Sequence, residues 1–301
     1  MKFRAAWIAL VMVGGTTAGA RQEATFRASA DVVTVDVSVR SGGRPVTGLT
    51  ATDFELLDNA QPQQISDLTY EKLPIDVIVA LDVSGSVSGS VLDQLRASLQ
   101  ELRTDLTPRD RLKLLTFNMR IKQVVDFGAP ASATDAALTR VTPGGSTSIF
   151  DAIAVALTSS SSADRRQLVV LFSDGEDSGS ITDPAVLMDV ARRTTPTLDV
   201  VLASSLGTEA TVSARSLPRN VAMQKMYTEL ARETGGLMEM ISGSGKLSAA
   251  FRRMLEQFRS SYVLHFAPNG VERSGVHALD VRVKRTGVDV RARKSYVWSG
   301  K

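Results

Sequence analysis

The chain has no cysteine in 301 residues. That excludes a disulfide framework, a thiolate nucleophile and any metal site built on thiolates. Histidine is nearly as scarce, with only His265 and His277 present. Two histidines far from any usual ligand spacing match no zinc hydrolase pattern. Charge of one sign is also lacking: 35 basic residues face 32 acidic ones, a formal net charge of +3. So small an excess gives no electrostatic footprint for nucleic acid. No apolar run is long enough to span a bilayer. What remains is an ordinary globular composition, 43% hydrophobic and 22% charged, in a chain long enough for a large core.

The first twenty residues read as a secretory leader. Lys2 and Arg4 supply positive charge, residues 5–13 a short apolar core, and Ala18-Gly19-Ala20 a small-residue cleavage site. The expected product is an exported protein, periplasmic, envelope-associated or secreted, that starts near Arg21. A retained N-terminal anchor is the alternative.

Residues 21–74 read as a β module. Val33, Val35, Val37 and Val39 alternate with Thr34, Asp36, Ser38 and Arg40, the pattern of a half-buried strand. Ser41-Gly42-Gly43 is a hairpin turn, and residues 53–57 and 65–70 are further short strands around Asp58-Asn59. From Ile75 the pattern becomes alternating strands and helices, which predicts βαβ crossovers and a mainly parallel sheet over residues 75–260. Helices are expected from Val91 (Leu92, Leu95, Leu99, Leu102 and Leu106 on one stripe) and over 133–141, 148–158, 184–193, 221–234 and 246–259. Strands are expected over 111–117, 123–127, 167–172, 198–203 and 237–241, with 123–127 antiparallel at the edge. Residues 159–162 and 204–220 read as loops. Residues 261–301 return to β alternation, with strands at 261–266, 278–285 and 288–294 and a hairpin turn at Thr286-Gly287. Arg282, Lys284, Arg291 and Arg293 read as a solvated basic face. The flanking β segments are too short to stand alone, so they are expected to pair into one small sandwich with the α/β region inserted between their strands.

Within the α/β region, the apolar strand from Ile75 to Leu81 leads into Asp82, Ser84 and Ser86, with Gly85 between the serines. A carboxylate and two hydroxyls at alternate positions, on a tight turn at a strand's carboxyl end, suit a hard divalent cation that prefers oxygen. This D-x-S-x-S stretch resembles the metal-ion-dependent adhesion site of von Willebrand factor A domains. Two later stretches carry the resemblance further. Gly144-Gly145-Ser146-Thr147-Ser148 precedes a helix, and Ser173-Asp174-Gly175 follows the strand 168–172. The three pieces stand in the family's order. The flanking texts 44–65 and 261–297 also resemble a bacterial family of exported proteins related to these domains.

The resemblance implies a doubly wound, Rossmann-like α/β fold and a cation, Mg2+ or else Mn2+ or Ca2+. Its ligands would be Asp82, Ser84, Ser86, Thr147 and Asp174. It implies a protein partner that offers a Glu or Asp carboxylate to the open side of that cation, and no catalysis. Asp151, one turn after Thr147, either orients a metal-bound water or simply begins its helix. Glu176 and Asp177 read as a solvated acidic loop that could tune the field. Gly144-Gly145 lacks the lysine of a phosphate loop. Two other readings stay open. The protein could be a structural subunit of an envelope complex with a degenerate metal site. It could also be a hydrolase using Ser84 or Ser86, although no nucleophile-elbow spacing surrounds either serine.

Overall fold

The computed structural model describes residues 32–70, 73–87, 89–159, 164–203, 217–241 and 246–299. The expected leader over residues 1–20, its cleavage point, and most of the expected loops at 159–162 and 204–220 lie outside the described residues.

In chain order the first strands are β1 (Val33–Ser41), β2 (Arg44–Pro45), β3 (Phe54–Asp58), β4 (Gln61–Gln63) and β5 (Ile65–Tyr70). The α/β region follows with β6 (Ile75–Asp82), α1 (Ser90–Asp105), β7 (Arg111–Phe117), β8 (Ile121–Val125), α2 (Ala131–Thr139) and α3 (Ile149–Thr158). It continues through β9 (Arg166–Ser173), α4 (Pro184–Arg193), β10 (Thr197–Ala203), α5 (Leu217–Thr234), β11 (Met238–Ile241) and α6 (Leu247–Arg259). The last strands are β12 (Tyr262–Phe266), β13 (Ser274–Val283), β14 (Asp289–Ala292) and β15 (Ser295–Ser299).

Six strands form one sheet in the order β11-β10-β9-β6-β7-β8. All its pairings are parallel except the edge pair β7–β8. This is the doubly wound α/β fold expected from the alternation of strands and helices. Every residue of β6, β9 and β10 is buried, which is why those strands read as continuous apolar runs. One face of the sheet packs on α1 and α6 through Leu95, Leu99, Phe251, Met254 and Phe258. The other packs on α3, α4 and α5 through Ile153, Leu187 and Tyr227. Asp76, at the amino end of β6, meets Arg111 at 2.6 Å and Arg165 at 2.6 Å. Burying that carboxylate is possible because it is paired.

The two flanks share their sheets. One sheet runs β14-β1-β12-β5, with β2 on β1, and the other runs β15-β13-β3-β4. Val35, Val37, Phe54, Tyr262, Leu264 and Val281 meet in the core between them. The polar side of β1 is covered at Asp36 and Ser38. Arg166 of β9 donates to Asp36 at 2.6 Å, and Ser38 and Asp36 border a small cleft with Thr197, Asp199 and Gly236.

Several details differ from the sequence reading: β15 is a further strand, and β8 and α2 each begin two residues before their expected starts. Thr286-Gly287 does not close a hairpin, because β13 pairs with β3 and β15 while β14 pairs with β1; the chain crosses there from one sheet to the other. Arg293 is buried instead of solvated, and its guanidinium donates to the carbonyls of Ala191 and Thr194 at the end of α4. These are the carbonyls that a helix end leaves without partners. Finally α5 begins at Leu217, four residues before the expected start. At its other end a Cβ on Gly236 would lie 2.0 Å from the Leu198 carbonyl oxygen, so only glycine fits there.

Candidate metal centre

The site is built at the carboxyl ends of β6 and β9, which lie side by side in register from Ile75–Arg166 to Leu81–Phe172. That adjacency sets Asp82 beside Ser173. The Asp82 side chain is fully buried. Its Oδ1 accepts from the Ser84 backbone N–H at 2.8 Å and its Oδ2 from the Ser173 hydroxyl at 2.6 Å. Burial pushes the Asp82 carboxyl up to about 6, and the nearby Asp174 carboxylate adds to the rise; the bonds from Ser173 and Ser84 oppose it.

Within the first loop the Ser84 and Ser86 hydroxyls stand 3.1 Å apart. The second loop is tied to the first at two points. Gly144 N–H donates to the Val83 carbonyl at 2.9 Å, and Gly85 N–H donates to the Gly145 carbonyl at 3.3 Å. Gly145 holds a φ of +82°, a conformation that glycine adopts without strain. Thr147, buried on this loop, presents its carbonyl to the Ser178 and Gly179 N–H groups of the third loop, both at 2.9 Å. Asp174 opens that third loop, half-buried, and accepts from the Glu176 N–H at 3.1 Å. Asp82, Ser84, Ser86, Thr147 and Asp174 therefore stand on three loops bound together at one end of the sheet.

Four further residues organise these loops and escaped the sequence reading. Ser173 orients Asp82. Asn118, after β7, donates to the Gly144 carbonyl at 2.7 Å and accepts from the Ser148 N–H through its own carbonyl. Asp177, read as solvated, accepts from the Ile149 N–H at 2.8 Å and from the Ser180 hydroxyl at 2.6 Å; it caps the amino end of α3, where free N–H groups favour a carboxylate. Tyr227 of α5 donates to the Gly175 carbonyl at 3.4 Å. The only signals available for Asn118 and Asp177 were an Asn in the turn directly after β7 and an Asp in the loop between β9 and α4. Asp151 stands in the first turn of α3 and also ties that helix to the segment after the third loop. It accepts from the Ile181 and Thr182 N–H groups at 3.0 and 2.8 Å. Burial alone would raise its carboxyl, but those bonds outweigh it and hold the group below the usual range.

The donor set is two carboxylates and three hydroxyls. Among the described residues no group of three or more His, Cys, Asp and Glu side chains gathers as a softer or higher-charge metal site would require. Oxygen donors alone fit Mg2+, Mn2+ or Ca2+. The field at the site has the right sign as well. Burial raises the Tyr227 hydroxyl, and the three charges that add to the rise, Asp177, Asp174 and Asp82, are all negative. The histidines are elsewhere: His265 bonds Thr34 at 3.2 Å, and His277 bonds Asp58 at 2.8 Å, both within the sandwich.

Residues 76–213 match the family model of the von Willebrand factor type A domain. The chain contains a von Willebrand factor type A domain. Domains of this family are known for protein–protein interaction, often metal-dependent. The human inter-alpha-trypsin inhibitor heavy chain H4 is 32% identical over 133 residues, 40% of this chain and 14% of that protein. The bovine protein of the same description is 26% identical over 134 residues, 40% of this chain and 15% of its own length. The chain thus spans well under a fifth of these relatives. Among solved structures, the von Willebrand factor type A from Catenulispora acidiphila matches 91% of this chain and 76% of its own, with a TM-score of 0.50 at 13% identity. That likeness concerns the fold, and its share exceeds the A domain alone. No helix among the described residues is long and apolar enough to cross a membrane.

Proposed function

We infer that the protein is an exported binding module that captures an acidic side chain of a partner protein through a divalent cation. Asp82, Ser84, Ser86, Thr147 and Asp174 would hold the cation, Mg2+ before Mn2+ or Ca2+. The observation that carries this reading is the hydrogen-bonded junction of the three loops, with the buried Asp82 carboxylate fixed from both sides by Ser84 N–H and Ser173 Oγ. Three of the five donors are neutral hydroxyls, so Asp82 and Asp174 would offset the cation's charge without reversing it, and its open side could still take a partner carboxylate. The chain's own contribution is to hold these oxygens in place before the partner arrives, which removes part of the ordering cost of binding. The export assignment rests on the leader-like sequence of residues 1–20.

The test uses glutamate-bearing beads and the mature protein. Retention in Mg2+ and release by a chelator are expected. Retention that is indifferent to both chelator and Asp82→Ala would contradict metal-mediated capture. Absence of retention under all conditions, with no Mg2+ bound, would favour a structural subunit with a degenerate metal site.

A further inference from the structure

A second feature lies directly beside these loops. Between the β7–β8 edge and α2 runs an open slot of about 550 Å3, within the range of pockets that hold small ligands or short peptide segments. Its floor is small and apolar, formed by Val83, Val124, Ala136, Ala137 and Val141. Its rim is cationic: Arg120 and Lys122 from the β8 side and Arg140 from the end of α2, all exposed. No aspartate or glutamate is among its lining residues. The acids nearest in sequence are engaged by other cations, Asp126 by Lys113 and Asp135 by Arg103.

The slot borders the first two loops of the candidate metal centre. Val83 follows Asp82 and accepts from Gly144, and Asn118, another lining residue, holds the Gly144 carbonyl. A ligand whose first carboxylate met the Asp82 site would therefore have this slot as its next contact. The placement of the rim charges favours one kind of ligand. Lys122 lies on β8 and Arg120 in the bend just before it, and Arg140 lies across the slot at the end of α2. An extended peptide lying along the slot would pass between these cations, its acidic side chains reaching the rim and the side chains between them, which alternate in direction, turned to the apolar floor. A compact phosphate would call for cations converging on one point, whereas these stand on opposite walls.

We propose that the slot binds an extended acidic segment of the partner protein, with acidic residues at alternate positions and small apolar residues between them. The proposal rests on the metal-capture reading for the first carboxylate and adds the class of partner. Its contacts are exposed charges, so they fade as salt rises above physiological strength.

The test uses the full mature chain and a fluorescent (Glu-Ala)4 octapeptide, followed by anisotropy in Mg2+ and in EDTA. The triple substitution Arg120→Gln, Lys122→Gln, Arg140→Gln should weaken peptide binding about tenfold or more in both buffers while leaving the Mg2+ titration unchanged. Asp82→Ala should remove only the increment that Mg2+ adds. If peptide affinity is equal in Mg2+ and EDTA yet still falls in the triple variant, metal capture fails and the slot assignment stands. Unchanged affinity in the triple variant, or equal binding of a (Gln-Ala)4 control, overturns the slot assignment. So does tight binding of phosphatidylglycerol vesicles that displaces the peptide and is lost in the same variant, which would transfer the slot to a membrane surface.

Discussion

The hydroxyl of Ser173 donates to Asp82 Oδ2 at 2.6 Å. One residue of β9 thereby fixes the carboxylate of its neighbour β6, and Asp174, the next residue, reaches the same end of the sheet. The pairing converts a two-strand adjacency into a prediction. Ser173→Ala leaves a buried carboxylate with one donor fewer, and hydrogen bonds to charged groups contribute about 1.5–3 kcal/mol. Urea denaturation should show a loss of that size, together with weaker Mg2+ binding. A loss below about 0.5 kcal/mol would mean that Asp82 is held by its loop alone.

The contact between Arg166 and Asp36 gives a second prediction. The Arg166 guanidinium bonds Asp36 of β1 and lies 4.0 Å from the ring centre of Phe258 on α6. It therefore touches the sandwich, the central sheet and the last helix at once. Asp36→Ala would strand a buried guanidinium, and removing one partner of a buried pair costs about 3–5 kcal/mol. Thermal unfolding should remain one transition at a lower midpoint, because the sandwich and the α/β region share this interface. Two separated transitions would show that they unfold independently.

Asp199 supplies a pH prediction. Burial in the cleft between β10 and the sandwich raises its carboxyl to about 7; the Leu237 N–H and the Arg291 charge oppose the rise, and Glu239 adds to it. The folded protein therefore holds a proton between about pH 4 and pH 7 that the unfolded chain releases. The stability this provides is complete below the unfolded value and is lost as pH rises through 7. Asp199→Asn keeps an acceptor for Leu237 and cannot ionise. Its stability advantage over the parent should grow by a few kcal/mol from pH 4 to pH 8, since one proton over one pH unit is worth about 1.4 kcal/mol. A difference that stays flat across that range would show that Asp199 is not carrying the proton.

The order of strands and helices was legible because each carries its own period. The seven residues of β7 and the ten of α4 coincide with their expected bounds. The three loops of the site were legible because each follows an apolar strand or precedes a helix. Ser173, Asn118 and Asp177 were not, since their roles depend on which strands become neighbours and which loop lies over which helix end. The polar side of β1 misled for the same reason: alternation says that a face is polar, and Arg166 of another element decides that it is covered. Arg293 followed the alternation into solvent on paper, yet the end of α4 supplied carbonyls that only a buried donor could reach.

The central claim is that Asp82 and its four companions hold a divalent cation, and titration calorimetry with Mg2+ tests it most directly. The parent protein should bind one equivalent saturably. The Asp82→Ala variant, shown to be folded by circular dichroism, should bind none, because it loses the carboxylate that both β6 and β9 position. An identical Mg2+ isotherm for the two proteins would contradict the account.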